Sequence, residues 1–342
     1  MKVGLYDDPV FLEHDAGFGH PERPQRLTAL REGIRRSGLE PRIELLAPRD
    51  ATREELLHVH TAEHIAAVAA TAGGTRQFDA DTQAGPHSYA AALKAAGAVT
   101  DAVERVLDGR LDRAFCLVRP PGHHAEADRA MGFCLFNNVA IAAAHALARG
   151  RSRVAIIDFD VHHGNGTQHT FESDRRVLYV SSHAYPFYPG TGALAETGRG
   201  EGRGFTVNLP LPAGMGDGEY ARIYRDVVEP IGRAFDADLV LVSAGFDAFG
   251  GDPLAAMALT ASGYSELAAV CLAIAAGAAQ GRAVFVLEGG YDRRGLAASG
   301  AAVMRALLGD PAPTVVPTGR AIDPLIAEYR RAFQPYWPIL RG

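Results

Sequence analysis

Five short apolar runs punctuate the chain, each closing in a polar or glycine-rich cluster: Ala114-Phe115-Cys116-Leu117-Val118, Val154-Ala155-Ile156-Ile157, Val177-Leu178-Tyr179-Val180, Leu239-Val240-Leu241-Val242 and Ala283-Val284-Phe285-Val286-Leu287. Continuous apolarity without alternation marks strands buried on both faces, as in a parallel sheet. Helical patterns lie between them. Leu27, Leu30 and Ile34 follow helical spacing after Pro21-Glu22-Arg23-Pro24, and Thr52 with Glu55 forms a capping-box pattern ahead of Leu56-Leu57. Residues 138–147 and 264–279 read as alanine-rich helices. Strands alternating with helices imply right-handed crossovers and an α/β architecture, a mainly parallel sheet with helices on both faces. Ligands of such sheets bind beyond the carboxyl ends of the strands, so chemistry is expected in the clusters that close the runs.

Hydrophobic residues make up 47% of the 342 and charged residues 22%, a composition that excludes a disordered chain or a coiled coil. No long linker or internal repeat divides the sequence, and residues 1–342 read as one domain. The Gly-rich stretch 198–204 reads as an exposed loop, since a phosphate-binding loop would follow a strand and open a helix. The longest strongly apolar stretch, 267–279, has 13 residues, short of the ~18–20 that cross a bilayer. The first eight residues, Met1-Lys2-Val3-Gly4-Leu5-Tyr6-Asp7-Asp8, lack the apolar segment of a secretion signal, so a cytoplasmic location is expected. With 34 Lys+Arg against 40 Asp+Glu the net charge is −6, which lacks the basic footprint of a nucleic-acid binder. Cys116, Cys134 and Cys271 are too few and too scattered for a disulfide framework, and read as reduced core or pocket residues.

The most informative cluster is Asp158-Phe159-Asp160-Val161-His162-His163-Gly164-Asn165-Gly166. Side chains two apart on an extended segment share a face, which groups Asp158, Asp160 and His162. Burying two carboxylates is costly unless a cation compensates them, and mixed carboxylate and imidazole ligation suits Zn²⁺ or Fe²⁺. The alternative is an acidic strand end hydrogen-bonded to neighbouring loops. A third ligand is available in Asp247, just past the run that ends at Val242; its alternative is a loop acid at a turn. Two aspartates and one neutral imidazole cancel the charge of Zn²⁺, so such a site needs separate proton-transfer groups. Arg119-Pro120-Pro121-Gly122-His123-His124 supplies two adjacent imidazoles. A fourth run ends in Glu288-Gly289-Gly290-Tyr291, where the Tyr291 phenol is placed to donate to a developing oxyanion. His58, His60 and His64 resemble a metal cluster, but no Glu follows His60 as in His-Glu-x-x-His, and they read as a solvated helix start. His183 reads as a supporting or loop residue rather than a ligand.

These clusters together, with Ser243-Ala244-Gly245-Phe246-Asp247-Ala248, resemble the zinc-dependent histone deacetylase family, in order from His20-Pro21-Glu22-Arg23-Pro24 to Tyr291. The Phe-Asp-Ala and Gly-Asn-Gly variants are similar to the class II branch and its bacterial relatives, which include acetylpolyamine amidohydrolases. The resemblance implies the arginase/deacetylase-like fold, with Asp160, His162 and Asp247 as zinc ligands and Tyr291 as the carbonyl-polarising phenol. It implies His123 and His124 as the tandem pair, Asp158 orienting His123, and Asn165 standing where some relatives partner the second histidine with an aspartate; which imidazole is the base stays open. It further implies a structural K⁺ near Asp158, Asp160, His162, Ser181 and Ser182, with a second near Phe171 and Val177. Gly132, Phe133 and Tyr188 would line the acyl slot, with Asp79 or Asp81 at its rim. Some polyamine-selective relatives carry an acid after Gly-Asp-Pro, whereas Leu254 follows Gly251-Asp252-Pro253 here. The implied reaction is hydrolysis of an acetyl or longer acyl amide on a lysine of a protein or peptide, with acetylpolyamines or other small acyl-amines as the alternative substrate. Two competing readings are a non-catalytic acyl-lysine binder and a guanidino hydrolase, which would need ligands for a second metal.

Overall fold

The computed structural model describes residues 1–317 and 320–341. Its strands are β1 (Val3–Tyr6), β2 (Glu44–Leu46), β3 (Arg76–Gln77), β4 (Gln83–Ala84), β5 (Arg113–Cys116), β6 (Val154–Asp158), β7 (Val177–Ala184), β8 (Thr206–Leu211), β9 (Leu239–Ala244) and β10 (Ala283–Leu287). Eight of them form one sheet in the order β2-β1-β5-β10-β9-β6-β7-β8, every neighbouring pair parallel. β3 and β4 form a separate two-stranded antiparallel ribbon.

The expected run-to-strand correspondence is seen at all five positions. β6, β9 and β10 are buried along their whole length, as continuous Val/Ile/Leu runs between two helical layers should be. One layer pairs helix Ser88–Leu107 with Asn138–Ala148; the other packs Gln25–Arg36 and Ala261–Ala275 against Arg293–Leu307. Boundaries differ in places. The helix expected at 264–279 spans Ala261–Ala275, because the Thr260 hydroxyl accepts the Ser262 N–H and caps it earlier. Thr52 and Glu55 form the full capping box. β1, β2 and β8 escape an apolar-run reading because β1 and β2 are short, and Asn208 and Pro210 interrupt β8. Among the described residues no helix is long and apolar enough to cross a membrane.

The register positions the chemistry. β5, β10, β9 and β6 are consecutive in the sheet, with Val286 opposite Cys116, Leu287 opposite Ala244 and Ser243 opposite Asp158. The clusters that follow these four strands therefore emerge side by side at one edge, although they lie up to about 170 residues apart in the chain.

Candidate active site

At this edge Asp160, His162 and Asp247 converge, their ligand-type atoms all within 4.8 Å of one another. His162 Nδ1 lies 3.1 Å from both Asp160 Oδ1 and Asp247 Oδ2. Donors on a tetrahedral Zn²⁺ with ~2.0 Å bonds sit about 3.3 Å apart, so the set fits that ion. The remaining oxygens are held by backbone: Gly289 N–H donates to Asp160 Oδ2 (2.8 Å) and Val161 N–H to Asp247 Oδ1 (2.9 Å). Both carboxylates are fully buried. Burial opposes a charge on His162, yet Asp160 and Asp247 outweigh it and raise the imidazole to about 10. Burial and the neighbouring Asp160 charge push Asp247 upward. Two buried acids demanding positive charge from one histidine describe a cation site.

Two glycines let the acids approach this closely. A β-carbon on Gly245 would collide with the Asp160 carboxylate, and one on Gly289 with that of Asp247.

The tandem histidines stand beside this cluster with unlike partners. His123 Nδ1 lies 3.1 Å from Asp158 Oδ2, whose other contacts are the Tyr179 hydroxyl (3.0 Å) and the Asp160 N–H on Oδ1 (3.1 Å). Burial opposes a charge on His123, but Asp158 and Asp160 raise it to about 10. His124 Nδ1 instead faces the Asn165 Oδ1 amide oxygen at 2.8 Å. Burial, then the charges of His123 and His162, push His124 well below the ordinary imidazole value. A carboxylate favours the imidazolium and an amide does not, so the environment of His123 favours the charged ring and that of His124 the neutral one.

A pocket of about 230 Å³ leads to this edge, lined by His123, His124, His162, Gly132, Phe133, Tyr188, Leu254 and Tyr291, with Asp81 and Phe187 among the others. Phe187 stacks on the His162 ring (5.3 Å between centroids) and Phe133 meets Tyr291 edge-on (6.0 Å). Burial above all keeps the Tyr291 phenol protonated, far above its usual range. Of the two acids expected at the rim, Asp81 is in the pocket lining. Asp79 Oδ1 accepts the Asp81 N–H (3.0 Å).

Ser181 stands opposite Asp158 in the β6–β7 register. Its hydroxyl is 2.9 Å from His183 Nδ1, and that of Ser182 is 2.8 Å from the Tyr224 hydroxyl. Among the described residues the Asp160 and His162 carbonyl oxygens accept no hydrogen bond, a donor chemistry that suits a hard monovalent cation. Near the second expected cation position, the Phe171 carbonyl accepts the Asp174 N–H (2.9 Å).

His60 and His64 are not solvated: they are 2% and 3% exposed. His60 Nδ1 lies 2.9 Å from the Glu126 carbonyl and its Nε2 accepts the Asn137 N–H (2.9 Å), while His64 Nε2 meets the Leu135 carbonyl (2.8 Å). Hydrogen bonds to backbone let two core imidazoles replace apolar side chains. A second group of potential donors, Glu55, Glu104 and His145, is already compensated by Arg49, which meets Glu55 at 2.6 Å and Glu104 at 3.5 Å. Of the two donor groups of this kind among the described residues, only the set Asp160, His162 and Asp247 lies at the pocket.

Several supporting residues carry no role in the sequence reading. Glu288 accepts the Gly122 and His123 N–H groups and the Ser243 hydroxyl. Arg26 donates to the Gly290 and Glu288 carbonyls and lies over the Tyr291 ring, 4.9 Å from its centroid. Glu22 pairs Arg26 with Arg119 in full burial. Glu288 closes an apolar run just as Asp158 does, and that signal was available; Glu22 and Arg26 show locally only an i,i+4 charge pair, which does not connect them to Arg119 or Tyr291.

A family model described as the histone deacetylase domain matches residues 20–307. The chain is 42% identical over 333 residues to "Histone deacetylase 15" of Arabidopsis thaliana, covering 94% of this chain and 59% of that protein. It is 41% identical over 299 residues to a "Probable deacetylase" of Archaeoglobus fulgidus (86% and 83%), and 43% identical over 357 residues to the human "Polyamine deacetylase HDAC10" (98% and 51%). The chain thus spans between about half and four fifths of the length of these curated relatives. A solved structure of the HDA15 HD domain superposes with a TM-score of 0.92 at 40% identity, covering 99% of this chain and 96% of the other. By sequence and by fold alike, the chain belongs to the histone deacetylase family.

Proposed function

We propose that this protein is a zinc-dependent deacylase that hydrolyses the acyl amide on lysine side chains of proteins or peptides. The observation that carries the proposal is the meeting of Asp160, His162 and Asp247 beside His123, His124 and Tyr291 at the end of one largely apolar pocket. Asp160, His162 and Asp247 would hold the Zn²⁺, which when bound supplies positive charge to the acyl oxygen and to the attacking water. Asn165 accepts from His124 Nδ1–H, which leaves His124 Nε2 to take a proton from that water. His123, kept cationic by Asp158, returns a proton to the departing amine, so no amide anion has to leave. Tyr291 donates its phenolic proton as a hydrogen bond to the developing oxyanion. Phe133, Tyr188 and Phe187 exclude water along an aliphatic chain. A K⁺ among the oxygens of Asp158, Asp160, His162, Ser181 and Ser182 belongs to the same proposal, as a support for the loop after β6. A pure acyl-lysine binder would need neither the unlike histidine pair nor a donor phenol.

Leu254 in the pocket lining offers no charge to a distal ammonium, which favours acyl-lysine. A second reading, an acetylpolyamine as substrate, is favoured by the acid Asp81 in the pocket lining. Rates on an acetyl-lysine peptide and on acetylputrescine, with and without a chelator and added Zn²⁺, decide between them. The expected result is chelator-sensitive turnover with the peptide preferred; a clear preference for acetylputrescine overturns the substrate assignment, and chelator-resistant turnover overturns the metal.

A further inference from the structure

The Asn165 amide is itself held. Its Nδ2 donates to Glu126 Oε1 (2.5 Å) and to the His124 carbonyl (3.2 Å), both acceptors, so its Oδ1 is the atom left to face His124 Nδ1. Glu126 and Asn165 are 7% and 2% exposed. His169 Nδ1 lies 2.9 and 3.1 Å from the two Glu126 oxygens. Asn165 and His169 are four apart on helix Asn165–Phe171 and present one face to the same carboxylate. Burial disfavours the Glu126 charge, but His169, Asn165 and Arg129 hold it ionised. An ionised carboxylate cannot donate, so rotating the amide would set oxygen against oxygen.

We propose that Glu126, completed by His169, is a positioning residue that locks the Asn165 amide and thereby keeps the His124 proton on Nδ1. His124 lines the pocket, and its Nε2 has no protein partner among the described residues. With Nδ1 protonated, Nε2 is the lone-pair nitrogen; with the amide reversed, Nδ1 must accept and Nε2 carries the proton, which abolishes the base. The hydrogen-bond chain His124–Asn165–Glu126–His169 thus sets the tautomer of one catalytic ring from a half-exposed histidine. The inference rests on the deacylase reading for its catalytic meaning, but the tautomer itself does not.

The test is the ¹⁵N spectrum of the histidine-labelled full chain without substrate, the His124 signals assigned by their loss in His124→Ala. The wild type is expected to show the Nδ1–H form of His124. Glu126→Ala should give a tautomer mixture and lower kcat roughly tenfold or more at little change in KM. Glu126→Lys replaces an acceptor by a donor and should reverse the amide, giving the Nε2–H form. The double variant Glu126→Lys/Asn165→Asp lets one carboxylate accept from both neighbours and should restore the Nδ1–H form and most of kcat. An Nε2–H wild type, an unchanged His124 spectrum in a folded Glu126→Ala protein, or additive losses in the double variant overturns the proposal. A wild type with the Nδ1–H form but no turnover on any acyl-amine overturns the deacylase reading alone.

Discussion

Glu288 accepts the Gly122 N–H at 2.6 Å, so the acid that follows β10 holds the loop that leaves its neighbour β5. The same oxygen takes the His123 N–H (3.2 Å), and the Ser243 hydroxyl donates to the other (3.1 Å). Glu288→Ala leaves these buried groups without a partner and is expected to cost about 3 kcal/mol. Burial raises the Glu288 carboxyl to about 7, so Glu288→Gln, which keeps an acceptor and removes a poorly solvated charge, is expected to stay within about 1 kcal/mol of wild type. Urea denaturation of the two variants checks the difference.

Gly245→Ala places a methyl group against the Asp160 carboxylate without removing any ligand. Bound zinc, measured by elemental analysis after dialysis, is expected to be one ion per chain in the wild type and to fall well below that in Gly245→Ala. Zinc should also raise the wild-type melting temperature on addition and a chelator should lower it, because the ion compensates two fully buried acids. Gly245→Ala should show little of either shift.

Tyr291→Phe removes one hydroxyl from the pocket and touches none of the proposed ligands. Turnover on an acetyl-lysine peptide is expected to fall roughly 10²–10³-fold, the usual loss for an oxyanion donor. Zinc content and melting temperature should stay at wild-type values. Undiminished turnover would remove the phenol from the mechanism.

The His169–Glu126 pair should leave a pH signature in stability. Its hydrogen bond with Glu126 raises the His169 pKa, so its contribution is complete below the ordinary histidine value of about 6.5 and fades as pH rises through the folded value. Burial raises the Glu126 pKa, but His169, Asn165 and Arg129 lower it overall, so its contribution is complete above about 4.5 and fades as pH falls through the folded value. Their overlap is widest between these limits. His169→Ala is therefore expected to lower the melting temperature most near pH 5.5, and the gap to wild type should close towards pH 8.5.

Much of the site was legible because its residues close apolar runs. Asp158 and Ser243 stand opposite each other at or next to the ends of fully buried strands, and the acids and imidazoles that follow have few places to go except the sheet edge. The burial of His60 and His64 is not legible locally because it comes from partners far along the chain, Asn137 and the Glu126 and Leu135 carbonyls, that leave no mark near residue 60. Asp79 and Asp81 are equivalent in a local reading; that Asp81 lines the pocket is visible only in the folded chain.

The amino-acid order alone determined the strand class, the identity of the chemical groups and the family, because alternation, capping and motif spacing are properties of neighbours in the chain. Only the tertiary structure decided which strands are adjacent, that Asn165 turns its oxygen to His124, and that Glu126, Glu288 and Arg26 stand behind the reacting groups. The physical reason is distance: hydrogen bonds and charge pairing act over a few ångströms, and folding brings within that range residues that no local pattern connects.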